Sequence, residues 1–469
     1  MVMIVIVFAG IFLVIVSSLA SYILVQRRSE SSKENREKAV QIADAGLEYT
    51  RWFLAHNPTD TQLGTGVPGP YVRDFSDPEE GVMGQYSLAI GNNTKCGSTT
   101  AIDITSTGWS NENPSFTRIV YGRYARPSVA EYAYILNSSV WAGADRVITG
   151  RYHSNGGVRM DGTNNSTVTS AVSTWQCTSS FGCSPTQTKN GVFGAGPGNT
   201  LWSYPVPQID FTGITVNLVD MKSKAINAGG LYFGSVGGTP TNGRGYHAIF
   251  KNNGTVDVYR VTSAVGVWGF SDLSGWQQEY HIINNKTLLG NYTIPSACSV
   301  VFFEDKVWIE GVVKGKVMVV AADVTQASYD PDLVISNNIT YASSTAGTDG
   351  ITAIGENNVI IPLNSPNTLD VNGIFIAQKG AFGRNHYTTS GSNDVPSSYD
   401  NYVLRSAMTI TGTVVSNGRV GTKWTCGGTY CSGYATRVDS YDRKLADDPP
   451  PFTPYTSSDF KFVRWLEQN

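Results

Sequence analysis

The sequence predicts a mainly β protein headed by one long N-terminal α-helix. Three observations carry that expectation. Met1 to Val25 holds no charged residue and is dominated by Met, Val, Ile, Leu, Phe and Ala, a run longer than the ~20 apolar residues that cross a bilayer core as a helix. The polar segment Gln26 to Lys38 then continues without Pro or Gly into a stripe at helical spacing. Beyond residue 80, short β-branched runs recur between Gly, Asn, Ser and Thr turns, in a chain with 49 glycines.

The stripe is Ala39, Ile42, Ala43, Gly46, Leu47, Thr50, Phe53 and Leu54. Pro58 disfavours helix at the residue before it. One continuous helix over residues 1–57 follows, ~80 Å long at 1.5 Å per residue. Residues 1–25 are apolar all round, and the remainder is amphipathic.

Residues 58–78 read as a Pro/Gly/Asp-rich loop. Tyr86–Ile90, Ala101–Thr105 and Thr117–Tyr124 alternate as strands with one buried face. A small antiparallel sheet made of them, within a head at 58–135, would cover Ile42, Ala43, Gly46, Leu47 and Phe53. Residues 136–298 are β-rich, with one further helix at Leu218–Asn227.

Residues 299–469 are quasi-repetitive. Val307–Val312, Val317–Val320, Leu333–Ile335, Ile351–Ile354, Val359–Ile361, Leu369–Ala377 and Met408–Val415 each carry inward aliphatics before a turn. Short strands at intervals of roughly 20 residues suit the coils of a right-handed parallel β-helix, begun within 136–298. An irregular β-sandwich is the rival, disfavoured because hairpin signals between neighbours are scarce. The tail residues Phe460, Phe462, Trp465 and Leu466 are expected to cap the last coils, whose open edge needs covering.

The 15% charged content and net charge of −3 imply neither a polyanionic nor an acidic partner, and no nucleic acid. Six cysteines are too few for a disulfide scaffold. Cys177 with Cys183 and Cys426 with Cys431 enclose short loops suited to local disulfides, whereas Cys96 and Cys298 could pair or remain free. No C-x-x-C occurs and His56, His153, His247, His281 and His386 are scattered, so neither metal nor cofactor is expected. Asp323, Asp330, Asp332, Asp349, Glu356 and Asp370 are the candidate acids for carbohydrate cleavage, with Lys314, Lys316 and Arg384 nearby. They show no paired spacing, and most sit beside Gly, Pro or Asn, where Asp ordinarily caps turns. Nucleophile-elbow, zincin, Walker and dinucleotide motifs are absent, so no enzyme is expected.

The bare apolar terminus, the long helix and the phrase Ala39–Tyr49, with Ala43-Asp44-Ala45-Gly46-Leu47 at its centre, resemble type IV pilin-like proteins of the PilX-like group. The likeness covers the first 57 residues. Val5 stands where major pilins carry Glu, as some minor pilins tolerate. The basic leader ending in Gly that a prepilin peptidase removes does not precede Met1, as expected of a processed chain or a misplaced start. Arg27 and Arg28 follow the span, and a lost leader would restore an outward-facing domain. Trp308–Val317, Ile354–Val359 and Tyr441–Leu445 with Pro449–Phe452 also resemble β-helical surface domains found behind such helices.

The resemblance implies a non-enzymatic minor or tip pilin, held in the cytoplasmic membrane before assembly and then part of a surface pilus or pseudopilus. Its helix would pack against other pilin subunits through Val5, Ala9, Gly10, Ser17, Ala20 and Ser21, where small residues permit close approach. The β domain would be displayed for adhesion to a surface glycan or cell receptor. The alternatives are a membrane-anchored polysaccharide lyase or hydrolase and an anchored surface protein that never polymerises.

Overall fold

The computed structural model describes residues 2–79, 81–214, 216–237, 244–326, 328–343 and 347–468. It is a mainly β protein with one long N-terminal apolar helix, α1, over Val2–His56. Met1 and Asn469 lie outside the described residues. The chain divides into two compact units: residues 1–93, 99–125 and 460–469, and residues 94–98 with 126–459.

In the first unit α1 packs on a sheet of β1 (Tyr71–Asp77), β2 (Gly81–Lys95), β3 (Ser98–Ser110), β4 (Thr117–Ala125) and a final strand at Lys461–Gln468. β1–β2, β3–β4 and β4 with the final strand are antiparallel. The alternating burial of β3 turns Ile102, Ile104 and Ser106 to the helix side, because successive side chains point to opposite faces. Leu88, Ile104, Val120 and Tyr124 then form one core with Ile42, Ala43, Leu47 and Leu54 of α1.

The final strand corrects one expectation. Residues 461–468 pair along β4, with Phe462 opposite Tyr124 and Leu466 opposite Tyr121, and do not close the end of the second unit. β4 would otherwise be an open edge. Gly122 makes room for the ring: a Cβ there would lie 2.8 Å from Phe462 Cε1.

The second unit is built mainly from parallel ladders. The longest runs Leu231–Phe233, Val300–Phe303, Lys316–Ala321, Gly350–Gly355, Thr368–Ala377, Leu404–Ser416, Tyr132–Leu136, Arg151–Ser154, Val168–Ser170 and Trp202–Ser203. Its register lines up Val301, Val319, Ala353, Phe375, Val414, Tyr134, Tyr152 and Val168, all buried in one core. Phe302, Val320, Ile354, Ile376, Val415 and Ile135 point the other way into a second core, joined by Met221 and Ala225 of the helix Leu218–Asn227. Both faces are therefore dry, which explains continuous aliphatic runs in place of alternation. A second parallel ladder joins Gly245–Phe250, Val307–Val313, Leu333–Tyr341, Val359–Ile360 and Phe382–Gly383. The long hairpin Thr255–Ser271 and Gly275–Thr293 is antiparallel.

Against the second ladder lies a buried charged network. His281 Nε2 is 3.3 Å from Asp332 Oδ2 and its Nδ1 is 3.7 Å from Glu279 Oε2. Asn385 donates to Glu279 Oε2 at 2.6 Å, and the Tyr387 hydroxyl donates to Oε1. Burial works against the imidazolium, but Asp332 and Glu279 outweigh it and hold His281 above its ordinary value. Burial likewise opposes the two carboxylates, yet their bonds, first of all to His281, hold both below the usual range. The raised histidine contributes stability fully below about pH 6.5, lost as pH climbs through its folded value. The depressed acids contribute above about pH 4, lost as pH falls. The unfolding temperature is therefore expected to peak between these limits. His281→Gln should remove the alkaline decline and cost about 3–5 kcal/mol as a broken buried pair; an unchanged alkaline limb in thermal melts would refute this.

Candidate assembly helix and its seat

Every residue of α1 from Val2 to Ser31 is exposed. Within that length lies an 18-residue window of mean hydropathy 3.0, none of it buried. A rod this apolar and bare has no protein of its own chain to cover it, so water is the wrong solvent for it. Its three serine hydroxyls within the apolar run are already satisfied. Ser17 Oγ donates to the Leu13 carbonyl at 2.7 Å, Ser18 Oγ to Ile15 at 2.9 Å and Ser21 Oγ to Ser17 at 2.9 Å. These hydroxyls can enter hydrocarbon without a second partner.

Val5, Ala9, Gly10, Ser17, Ala20 and Ser21 fall within a little under half of the helix circumference at ~100° per residue. All are exposed. Nothing lies within 4 Å of where a Gly10 Cβ would stand. Ile6, Leu13 and Val16 share the same arc, so the face is aliphatic, with the small residues opening gaps in it for a neighbouring helix.

From Asn35 onward the helix is seated. Asn35 Nδ2 donates to the Ser31 carbonyl at 2.9 Å, and Ser110 Oγ of β3 donates to Asn35 Oδ1 at 2.7 Å. Lys38 pairs with Glu34 on its own helix and Glu112 beyond β3, both at 3.1 Å. Ile42, Ala43, Gly46 and Leu47 are buried, with Ala39, Thr50 and Leu54, while Phe53 is half-buried at the rim. Trp465 Nε1 donates to Asp44 Oδ1 at 2.9 Å, so the final strand also grips the helix.

Close approach depends on two glycines. A Cβ on Gly46 would lie 2.4 Å from Ser106 Oγ and 2.9 Å from Tyr86 Cδ2. One on Gly108 would lie 2.4 Å from both the Ala39 carbonyl oxygen and the Ala43 nitrogen. Gly46 belongs to the sequence stripe. Asn35 and Gly108 escape sequence reading: a polar residue before the stripe and a glycine inside a strand give no local sign of a partner helix.

The six cysteines form three disulfides: Cys96–Cys298, Cys177–Cys183 and Cys426–Cys431. Cys96 stands between β2 and β3, in the short stretch that belongs to the second unit. His386 lies close to Cys426 and Cys431, but the disulfide consumes the thiolates a metal would need.

Asp323, Asp330 and Glu356 meet around Lys379, which lines a cavity of about 310 Å³ with Asp332 and Arg384, while Asp349 and Asp370 stand elsewhere. Asp349 Oδ1 accepts from the Gly315 backbone at 2.8 Å and Oδ2 from Ser343 at 2.7 Å. Asp323 Oδ1 caps Thr325 at 2.9 Å and Gln326 at 3.0 Å. Glu356 accepts from the Asp323 backbone at 2.9 Å and from Lys379 at 2.8 Å, a lysine also bound to Asp330. Asp332 belongs to the His281 network, and Asp370 is exposed. Of the candidate bases, Lys316 donates to the Asp448 carbonyl at 2.6 Å, and buried Arg384 to the Tyr402 carbonyl at 2.6 Å; Lys314 is exposed.

No protein-family model matches the chain, and no curated protein matches it. Among solved structures it is similar to the competence-associated pilin ComZ from Thermus thermophilus. The identity is 12% and the TM-score 0.31, over 92% of this chain and 97% of that one.

Proposed function

We propose that this chain is a pilin-like surface subunit that assembles with other pilin subunits through α1. The observation that supports this best is the division of a single helix. Residues 2–31 are bare, while the stretch from Asn35 to Leu54 is clamped to a sheet whose strands come from both ends of the chain. A plain anchor needs only the first half. A helix that must be drawn out of lipid and loaded in a filament needs the second half as well, as a rigid grip for the head.

In this reading α1 lies in the cytoplasmic membrane before assembly and in a surface pilus or pseudopilus afterwards. Three disulfides suit an oxidising, extracytoplasmic head. We read the second unit as a right-handed parallel β-helix, since parallel ladders in register stack one coil on the next and crossovers of that hand dominate. Its bulk favours a minor or tip subunit of the PilX-like kind that displays the stack for adhesion, without a catalytic step.

The test is filament content. Cells carrying the gene are sheared, and the released material is probed for the subunit by immunoelectron microscopy. Val14→Lys puts a charge at the middle of the apolar run, at about 2.5–3.5 kcal/mol for insertion. It is expected to deplete the subunit from both membrane and sheared fractions. Wild-type protein that stays in the membrane and never reaches the sheared fraction would defeat the proposal.

A further inference from the structure

The second unit holds a polar cavity of about 460 Å³ on the face of the ladder Gly245–Phe250, Val307–Val313 and Leu333–Tyr341. Arg405, at the start of Leu404–Ser416, lines it and is nine-tenths buried. Its guanidinium carbon sits 4.4 Å from the centre of the Tyr402 ring. Among the described residues, Nε and Nη2 have no hydrogen-bond partner. A buried guanidinium normally spends its donors on carbonyls or carboxylates, and leaving two unmet is costly.

The other lining groups explain what is missing. Lys286 Nζ is 2.8 Å from His247 Nδ1, and His247 Nε2 is 3.0 Å from Glu310 Oε1. Glu310, the one lining carboxylate among the described residues, is thus committed to His247 and does not serve Arg405. Lys286 and Arg405 together outweigh it in charge. Asn284, Ser336, Asn337 and Asn364 add amide and hydroxyl groups beside the apolar Ile283, Pro366 and Tyr402, whereas the Asn367 amide is committed to Ser406. Trp308 is fully buried beneath, its Nε1 donating to the His281 carbonyl at 2.7 Å.

We propose that this cavity binds the carboxylate of an acidic saccharide, with Arg405 as its fork and the asparagines as partners for the sugar hydroxyls. Nε and Nη2 lie along one edge of the guanidinium, and that edge meets the two oxygens of a planar carboxylate side by side. Both donors are covered from solvent, so engagement includes a turn of the guanidinium from its place over Tyr402. Lys286 adds a second positive charge at the rim. The inference rests on the display role proposed above for its biological sense. It is read on the solubilised subunit, so that binding and filament assembly fail separately.

The test uses the full chain in detergent micelles, titrated calorimetrically with trigalacturonate, the neutral trisaccharide maltotriose, sodium acetate and inorganic phosphate. Trigalacturonate is expected to bind at least tenfold more tightly than any of the other three. Arg405→Lys keeps the charge but loses the fork, and should weaken trigalacturonate at least tenfold with an unchanged unfolding temperature. Should that variant unfold, Lys286→Gln carries the test at the less buried cation, with a several-fold loss expected. Equal binding of acetate and phosphate, meaning an adventitious ion only, would overturn the assignment. So would equal binding of maltotriose, absence of trigalacturonate binding, or full affinity in the folded Arg405→Lys variant.

Discussion

Gly108→Leu is expected to lift α1 from its sheet. The first side-chain carbon would stand 2.4 Å from the Ala39 carbonyl oxygen and the Ala43 nitrogen. Those are backbone atoms of a helix, with no rotamer through which to retreat. Ordinary overpacking costs about 1–3 kcal/mol, and a clash with rigid backbone should reach or exceed the top of that range. Ile42, Ala43, Leu47 and Leu54 all face β3 and its neighbours, so displacement exposes the whole stripe at once. Hydrogen exchange offers the cleanest reading, with protection of amides 39–54 expected to fall by two orders of magnitude or more, since about 3 kcal/mol is more than a hundredfold in an opening equilibrium. Gly91→Ala is the control, because its Cβ would meet only the Asp103 carbonyl at 3.9 Å. Equal protection in both variants would show that the glycine is not what sets the helix–sheet distance.

Replacing Cys96 and Cys298 together by alanine is expected to cost more than removing either of the other bridges. The bond spans 202 residues of sequence, against 6 and 5 for Cys177–Cys183 and Cys426–Cys431. Chain entropy in the unfolded state gives about 5 kcal/mol for the long loop and about 2 kcal/mol for the short ones, as ceilings. Both long-range sulfurs are also buried in the core containing Val129, Val300 and Phe302, so the alanine pair adds the cost of the space the sulfurs leave to that of the lost cross-link. Urea unfolding of the two double variants beside the parent decides the matter. Equal midpoints for Cys96→Ala/Cys298→Ala and Cys177→Ala/Cys183→Ala would refute the loop-length argument.

What could be read from the sequence was what is local. The helix was legible because an uncharged run followed by a stripe of 3.6-residue period suits a helix and little else. Leu218–Asn227 was legible as the one helical stretch among short β-branched pieces. The short runs Tyr86–Ile90 and Ala101–Thr105 mark β2 and β3 but understate them. The strands extend over Gly81–Lys95 and Ser98–Ser110, because pairing carries polar residues such as Asn92 and Thr94 into a ladder that their own propensity would not favour.

The misses are non-local. Phe460, Phe462, Trp465 and Leu466 looked like a cap, since nothing in Lys461–Gln468 names β4 as its partner. The cavity that Arg405 lines is assembled from five strands and the segment 364–367, far apart in sequence, and no spacing announces it. The pairing of Leu404–Ser416 with Tyr132–Leu136 is likewise invisible, because neighbours in the sheet are separated by most of the second unit.

That last pairing carries a consequence for biogenesis. The strand at 132–136 emerges early, yet its partner at 404–416 is made some 270 residues later, roughly 15–50 s at ordinary elongation rates. Until then the seam is an unpaired ribbon, available to any passing strand. A cell making this subunit would be expected to keep the young chain guarded or still in transit through that interval, so that ribosome pausing between the two points would show itself as clumped rather than merely scarce product.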